Sequence, residues 1–184
     1  MSVLASKGQL RASFLRWALL TVPAVLLLGF LSGEMAGSTA ENPWFAALNK
    51  PAIYPPPATF GIVWSILYVM QGLALAMVCA AWGARGRGLA ISLFILQFLV
   101  SLAWTPVFFA MRDMDTALIV IVVLDILAIA TLFAFWRVRR KAGWLLVPYI
   151  AWIMFATVLN YQFIAANPGA SSAPVGEAAQ RVTL

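Results

Sequence analysis

Histidine is absent from this chain of 184 residues, and Cys79 is its single cysteine. Without these residues the chain cannot build a Ser-His-Asp or Cys-His catalytic site, an internal disulfide, or an ordinary zinc or copper site. Charged residues are scarce as well, at 10% of the sequence, whereas hydrophobic residues make up 64%. A soluble domain of this size would have too little polar surface to face water, so the composition requires a lipid environment.

Long apolar segments occur five times, each close to the length of about 20 residues that crosses a bilayer. The predicted spans are residues 17–33, 60–82, 89–111, 116–136 and 144–166. We therefore predict an all-α membrane protein, a bundle of five transmembrane helices with a long proline-rich first loop. Residues 1–16 are a cytoplasmic N-terminal segment, residues 17–166 are the membrane domain, and residues 167–184 are a disordered tail rich in small residues and proline.

Basic residues are distributed unevenly between the two sides of the predicted bundle. Nine lie at the N-terminus and in the second and fourth loops: Lys7, Arg11, Arg16, Arg85, Arg87, Arg137, Arg139, Arg140 and Lys141. The other three, Lys50, Arg112 and Arg181, lie on the opposite side. The positive-inside rule then places the N-terminus in the cytoplasm of a bacterial cell. The net charge of +6 is thus a topology signal, with membrane lipid and not nucleic acid as its partner.

The first span allows two interpretations, because a basic segment followed by a short apolar run also resembles a cleavable signal peptide. Gly29, Gly33 and Gly37 favour a retained helix, since small residues four apart let another helix approach closely in lipid. We expect that stripe to pack within the chain, with a dimer contact as the alternative.

One acid, Asp125, lies near the middle of a predicted span, where an ionisable group is costly. It is either a proton or cation site, or a protonated or hydrogen-bonded residue against Thr or Gln of a neighbouring helix. No second acid, Lys or Arg lies within another span to form a relay. Transport driven by ions therefore has little support in the sequence.

The first loop contains a proline-rich strap, with Pro51 followed by three consecutive prolines at 55–57. Because proline fixes φ and removes a donor, this segment should be a stiff, extended cover. Directly after it, Phe60, Trp64 and Tyr68 recur at four-residue spacing on one face of the second span. Trp64 and Tyr68 are expected to line whatever lies beneath the strap, whereas Phe60 also fits a belt of aromatic residues at the membrane interface.

Four blocks of this chain, spread over about residues 15–165, resemble the TspO/MBR family of tryptophan-rich sensory and translocator proteins. The blocks are WFAALNKPAIYPP with FGIVWSILYVMQG (44–72), QFLVSLAWTPVFF (97–109), TAL (116–118) and PYIAWIMFATVLNY (148–161). The resemblance implies five membrane helices whose first loop folds over a ligand pocket, commonly in a homodimer formed through the third helix. In that family the pocket takes porphyrins such as protoporphyrin IX, and bacterial members are linked to tetrapyrrole and stress regulation.

The resemblance also implies the residues that contact the ligand. Trp44, Leu48 and Tyr54 would form the lid; Trp64, Trp104, Phe108 and Trp152 the aromatic walls; Gln97, Ser101 and Asn160 the polar groups; and Ala156 the position that leaves room for the ring; Tyr68 and Phe155 complete the set. Because the chain has no histidine, the commonest axial ligand of haem iron is missing, so a metal-free porphyrin is expected and no resident cofactor.

Several positions depart from the family pattern. Ala52 and Ile53 stand where family members commonly have Trp, and Ser101 stands where they have Asn. After Tyr161 the chain reads QFIAA, without the Lys or Arg of cholesterol-type motifs. The leading hypothesis is a porphyrin receptor or sensor. Two alternatives stay open: a light-dependent enzyme that degrades porphyrin with Trp64 and Trp152 as redox participants, and a transporter of porphyrin or sterol-like ligands.

Overall fold

The computed structural model describes residues 6–39 and 41–171, all of them in helices and the turns between. The helices are α1 (Lys7–Ala36), α2 (Pro43–Ala47), α3 (Pro57–Cys79), α4 (Arg87–Thr105), α5 (Met114–Val138) and α6 (Arg140–Ala166), and a π-helical segment (Pro106–Ala110) continues α4. Five of these are long and apolar enough to cross a membrane: α1, α3, α4 with its continuation, α5 and α6. The predicted fold class is therefore confirmed.

The helix ends follow local sequence signals. Ser6 starts α1 through a capping box, in which the Ser6 side chain accepts from the Gln9 amide and the Gln9 side chain accepts from the Ser6 amide. At the other end, Gly37 adopts φ +64°, a left-handed conformation that suits glycine and ends the helix. Helix α1 thus begins ten residues before the predicted span, because its first turns are polar.

The membrane helices form a closed ring. Helix α1 packs mainly on α3, α3 on α6, α6 on α5 and α5 on α4, and α4 returns to contact α1. A single residue, Arg139, separates α5 from α6, so these two helices form a tight antiparallel hairpin. All five membrane helices therefore border one interior space, which lies near the first loop.

Helices α1 and α3 approach so closely that side chains are excluded at two glycines. A Cβ on Gly72 would lie 2.6 Å from the Val22 Cα, and a Cβ on Gly29 would overlap the Tyr68 ring. The Thr21 hydroxyl also donates to the Gly72 carbonyl across this contact, at 2.7 Å. The glycine stripe therefore packs within the chain at Gly29, and these contacts favour the interpretation of α1 as a retained membrane helix.

Two features of the structure were not predicted. The first is α2, a five-residue helix that the Asn42 side chain caps by accepting from the Phe45 amide at 3.2 Å. The second is the π-helical segment, which begins where Pro106 has no amide hydrogen to continue the α-helical pattern. The next turn widens, and the Met111 amide donates to the Pro106 carbonyl at 2.9 Å.

Of the predicted disordered tail, residues 167–171 belong to the described part of the chain, and the rest lies outside it. The predicted proline strap runs from Leu48 to Pro56, and the backbone is extended at both of these residues. Between them lies a turn at Ala52 and Ile53, in which the Tyr54 amide donates to the Pro51 carbonyl at 2.9 Å. Pro57 is the first residue of α3. That position is favourable because the missing amide of a proline is not needed in the first turn of a helix.

Candidate functional site: an aromatic cavity beneath the first loop

A cavity of about 330 Å³ lies inside the ring of helices, directly beneath the first loop. Every membrane helix contributes to its wall, from Gly29 on α1 to Phe163 on α6, and the first loop covers it with Phe45 and Tyr54. The volume falls in the range of small-molecule sites, roughly 300–1,000 Å³. The cavity is therefore large enough to hold a ligand.

Nine of the thirteen predicted site residues line this cavity: Tyr54, Trp64, Tyr68, Ser101, Trp104, Phe108, Trp152, Ala156 and Asn160. Aromatic rings among them pack in pairs, with centroids 5.2 Å apart for both the Trp64–Tyr68 pair and the Trp104–Phe108 pair. These spacings are typical of stable aromatic contacts. The aromatic part of the wall therefore consists of rings that contact one another.

Five further phenylalanines line the cavity that the prediction did not include: Phe30, Phe45, Phe60, Phe109 and Phe163. Phe60 could have been included, because it lies one turn before Trp64 on the same face of α3. Its ring contacts Trp152 with a centroid separation of 5.8 Å. The other four are brought to the cavity by helix packing and by the folded loop, which local sequence patterns do not reveal.

The lid, defined here as residues 43–56, consists of α2 and the proline strap. Trp44 and Leu48 belong to the lid as predicted, yet neither lines the cavity. Trp44 is fully buried, packs against Phe108 at 5.8 Å, and donates its indole N–H to the Ala170 carbonyl at 3.3 Å. These two side chains therefore attach the lid to the bundle, while Tyr54 covers the cavity.

Lys50 stabilises the joint between the two halves of the lid. Its ammonium donates to the carbonyls of Phe45, Ala46 and Leu48 and lies 4.5 Å from the centre of the Phe45 ring. A cation at this position satisfies carbonyls that the end of a helix leaves without partners. Partial burial lowers the pKa of Lys50 below its ordinary value.

Two of the three predicted polar groups face the cavity. Asn160 and Ser101 line it, and Asn160 accepts from the Trp104 indole N–H at 3.3 Å while donating to the Met114 carbonyl at 3.0 Å. The Asn160 amide therefore fixes the orientation of the Trp104 ring. Its own hydrogen-bonding capacity is largely used within the protein.

Gln97 does not line the cavity, because it lies one helical turn further from the lid than Ser101. Its carbonyl accepts from the Tyr149 hydroxyl at 2.9 Å, and its amide lies 3.4 Å from the Gln71 side-chain oxygen. The three residues join α3, α4 and α6 in a buried polar cluster. Phe155 also lies outside the cavity wall and packs against the Trp152 ring at 5.4 Å.

Asp125 lies against Thr157 of the neighbouring helix α6, which is the hydrogen-bonded contact that the second interpretation describes. The Thr157 hydroxyl lies 2.8 Å from one Asp125 oxygen and 3.0 Å from the Ile153 carbonyl. A hydroxyl has a single proton, so a protonated Asp125 that donates to Thr157 would satisfy both contacts. Asp125 is absent from the cavity wall and joins α5 to α6.

The mouth of the cavity is polar, and its interior is mostly apolar apart from groups such as Ser101 and Asn160. Glu34, Ser38 and Thr39 line the wall at the end of α1, and Glu34 is exposed. In the part of the chain that the structure describes, Glu34 is the one Asp, Glu, Lys or Arg of this wall. No group of three or more potential metal ligands occurs within residues 6–39 and 41–171.

The fold and the site define an integral, multi-pass membrane protein in which five helices surround an aromatic cavity covered by the first loop. Residues 21–165 match the TspO/MBR family, and the chain belongs to that family.

Named relatives come from bacteria and from animals. Tryptophan-rich protein TspO of Chlorobaculum tepidum is 35% identical over 150 residues, covering 81% of this chain and 94% of that protein. Tryptophan-rich sensory protein of Cereibacter sphaeroides is 36% identical, with 77% and 91% covered. Translocator protein of Sus scrofa is 35% identical, with 72% and 79% covered. The similarity therefore extends over nearly the whole length of the two bacterial relatives.

Proposed function

We propose that this protein is a membrane receptor or sensor that binds a porphyrin of the protoporphyrin IX kind in the cavity beneath the lid. The observation that carries the proposal is the set of aromatic rings around the cavity, contributed by α3, α4, α6 and the lid. Flat, largely apolar ligands gain both area burial and ring contacts from such walls. The proposed role is regulation of tetrapyrrole or stress responses.

The charge distribution predicts how a porphyrin would be oriented. The described wall offers no Lys or Arg to the ligand, and Glu34 would repel a carboxylate placed beside it. The acidic side chains of a porphyrin should therefore point away from the interior and toward water. A ring larger than the closed cavity can be accommodated in this way, with its polar edge outside.

A titration of the purified protein with protoporphyrin IX, followed through tryptophan fluorescence, tests the proposal. Trp64, Trp104 and Trp152 all line the cavity, so a bound porphyrin should quench much of the emission at a defined stoichiometry. Quenching that never saturates, or that matches the quenching of free tryptophan, would argue against a binding site.

Light-dependent degradation is a second candidate function, because Trp64 and Trp152 both line the cavity and would lie beside a bound ring. Either indole could be oxidised in a reaction of excited porphyrin with dioxygen. Replacing each by Phe keeps an aromatic wall and removes the oxidisable indole. Protein-dependent pigment products that appear under illumination and disappear in both variants, with binding retained, would favour the enzyme.

We also propose that the protein occupies the bacterial cell membrane with its N-terminus in the cytoplasm. The exposed positions of Arg85 and Arg137, at the end of the bundle opposite the lid, support this orientation. We further propose a homodimer through α4, as the family resemblance implies; its interface would use the exposed apolar residues Ile95, Leu96 and Leu99.

A further inference from the structure

The side chain of Asn167 is bound to the backbone of the lid. The Asn49 amide donates to the Asn167 side-chain oxygen at 2.7 Å, and the Asn167 side-chain amide donates to the Asn49 carbonyl at 3.0 Å. One side chain thus pairs with both backbone polar groups of Asn49, as a neighbouring β-strand would. These two contacts fix the orientation of the Asn167 amide, because the Asn49 N–H needs an oxygen as its acceptor and the Asn49 carbonyl needs an N–H as its donor.

The sequence places this amide at the end of α6 for a local reason. Pro168 disfavours the helical conformation in the residue before it, and Asn167 adopts φ −135° and ψ 61°, which ends the helix at Ala166. Asn167 is 7% exposed, and its side-chain amide also donates to the Phe163 carbonyl at 2.9 Å. Its hydrogen-bonding groups are therefore used fully, although it lies outside the membrane helix.

The two halves of the lid are attached in different ways. Trp44, Phe45 and Leu48 are buried against the bundle in one apolar cluster, so hydrophobic packing holds the helical half. The other half, the strap from Asn49 to Pro56, reaches the cavity at Tyr54, whose ring packs against Phe60 and Phe163 with centroid separations of 5.5 and 5.8 Å. Ala52 and Ile53, between Asn49 and Tyr54, are exposed. Between Asn49 and Tyr54, the described hydrogen bonds to the rest of the bundle all involve Asn49.

We propose that Asn167 is a positioning residue that holds the strap half of the lid closed over the cavity, and that its release opens a path for the ligand past Tyr54. The inference rests on the proposed function for the identity of the ligand, but the attachment of the lid is a property of the free protein. Asn167 does not line the cavity, so its role is separable from ligand contact.

A comparison of Asn167→Ala with Asn49→Ala provides a matched test, since both remove a side-chain amide from the junction between the lid and the end of α6. The first removes the partner of two backbone groups. The second leaves those groups in place and removes a weaker contact, from the Asn49 side-chain amide to the Ala166 carbonyl at 3.4 Å. Only Asn167→Ala should therefore release the lid.

Hydrogen–deuterium exchange of the purified, ligand-free protein measures the release. We expect amide exchange over residues 49–54 to be about tenfold faster in Asn167→Ala or more, the effect of losing two partly buried hydrogen bonds. Exchange in Asn49→Ala should stay within about twofold of the unmodified protein. Exchange in α3 and α5 serves as the internal control that the bundle is folded.

A stopped-flow measurement with protoporphyrin IX tests the consequence for the ligand. In Asn167→Ala the association and dissociation rates should both rise by similar factors, so the Kd should change less than either rate. If the unmodified protein does not bind this porphyrin, the proposed function fails while the exchange experiment still decides the role of Asn167.

Equal exchange in all three proteins, or equal acceleration in both variants, would overturn the proposal. If Asn167→Ala does not fold, Asn167→Gln replaces it under the same criteria, because the longer side chain keeps the amide and displaces it from Asn49. Rates of porphyrin binding that are unchanged while lid exchange accelerates would also overturn it, since the lid would then not control access.

Discussion

Filling the cavity from α6 should abolish porphyrin binding without unfolding the protein. Ala156 lines the cavity between Trp152 and Asn160, each one turn away on the same face of α6. A benzene-sized ring needs a cavity of about 150 Å³, so Ala156→Phe would fill nearly half of the volume of about 330 Å³. The remaining space would fall below the range of roughly 300–1,000 Å³ that is typical of ligand sites.

We expect the Kd for protoporphyrin IX to rise at least about 100-fold in Ala156→Phe, equivalent to about 3 kcal/mol. The free energy of unfolding should change by less than about 1.5 kcal/mol, because the new ring enters open space between apolar walls. The control is Ala165→Phe, the same substitution at an exposed position of the same helix. Titration followed by the absorption of bound porphyrin, with thermal unfolding in the same detergent, measures both. A folded Ala156→Phe protein that binds like Ala165→Phe would refute the assignment of the site.

Three further predictions concern the walls, the orientation and the start of α5. Trp64→Ala and Trp152→Ala should each weaken porphyrin binding by about 1–3 kcal/mol. Trp82→Ala, at an exposed position near the opposite end of α3, should change affinity little, and equal affinities in all three variants would contradict the aromatic wall. A cysteine at the exposed position Ala58 should be labelled from outside the cell, with little background because Cys79 is buried; labelling from the cytoplasm alone would reverse the topology. Asp113 accepts from the Thr116 amide at 3.0 Å. Hydrogen bonding from the Thr116 side chain, and then from this amide, holds the pKa of the Asp113 carboxyl below its ordinary value. Its stabilising effect should be present above about pH 4 and be lost as the pH falls through the lowered pKa. Asp113→Ala should cost about 1 kcal/mol at neutral pH and remove that part of the acid dependence, as measured by thermal unfolding; unchanged acid dependence would contradict the cap.

The five membrane helices could be predicted from the sequence because each depends on a long apolar run, which is a local property. The observed helix ends differ from the predicted ends where a polar turn extends the helix, as at the start of α1, where Ser6 and Gln9 form the capping box. Helix α2 was missed because five residues are too few for hydrophobic periodicity, although Asn42 followed by Pro43 is a recognisable helix start.

The cavity could be predicted only in part, for a related reason. Trp64 and Tyr68 share a helix face with Phe60, so their common direction follows from spacing alone. Phe30 and Phe163 reach the same cavity from helices far apart in sequence, which requires the packing of the whole ring. Gln97 shares a face with Ser101, but it lies a turn deeper and pairs with Tyr149, because a buried amide needs partners.

The role of Asn167 was also beyond the sequence prediction. Residues 167 onward read as a tail because their composition is rich in small residues and proline. The pairing of Asn167 with Asn49 joins positions 118 apart in the chain, so no local pattern could indicate it.

A structure of the protein with protoporphyrin IX bound, at a resolution that shows side chains, tests the central claim most directly. The account predicts the ring beneath Tyr54, against Trp64 and Trp152, with its carboxylates toward water. A second place where a porphyrin could bind is an open apolar groove on the outer face of α3 and α6, which includes Ile66, Met70 and Pro148. Porphyrin bound in that groove, with the cavity beneath the lid empty, would show that the protein binds its ligand at the lipid surface and not within the bundle.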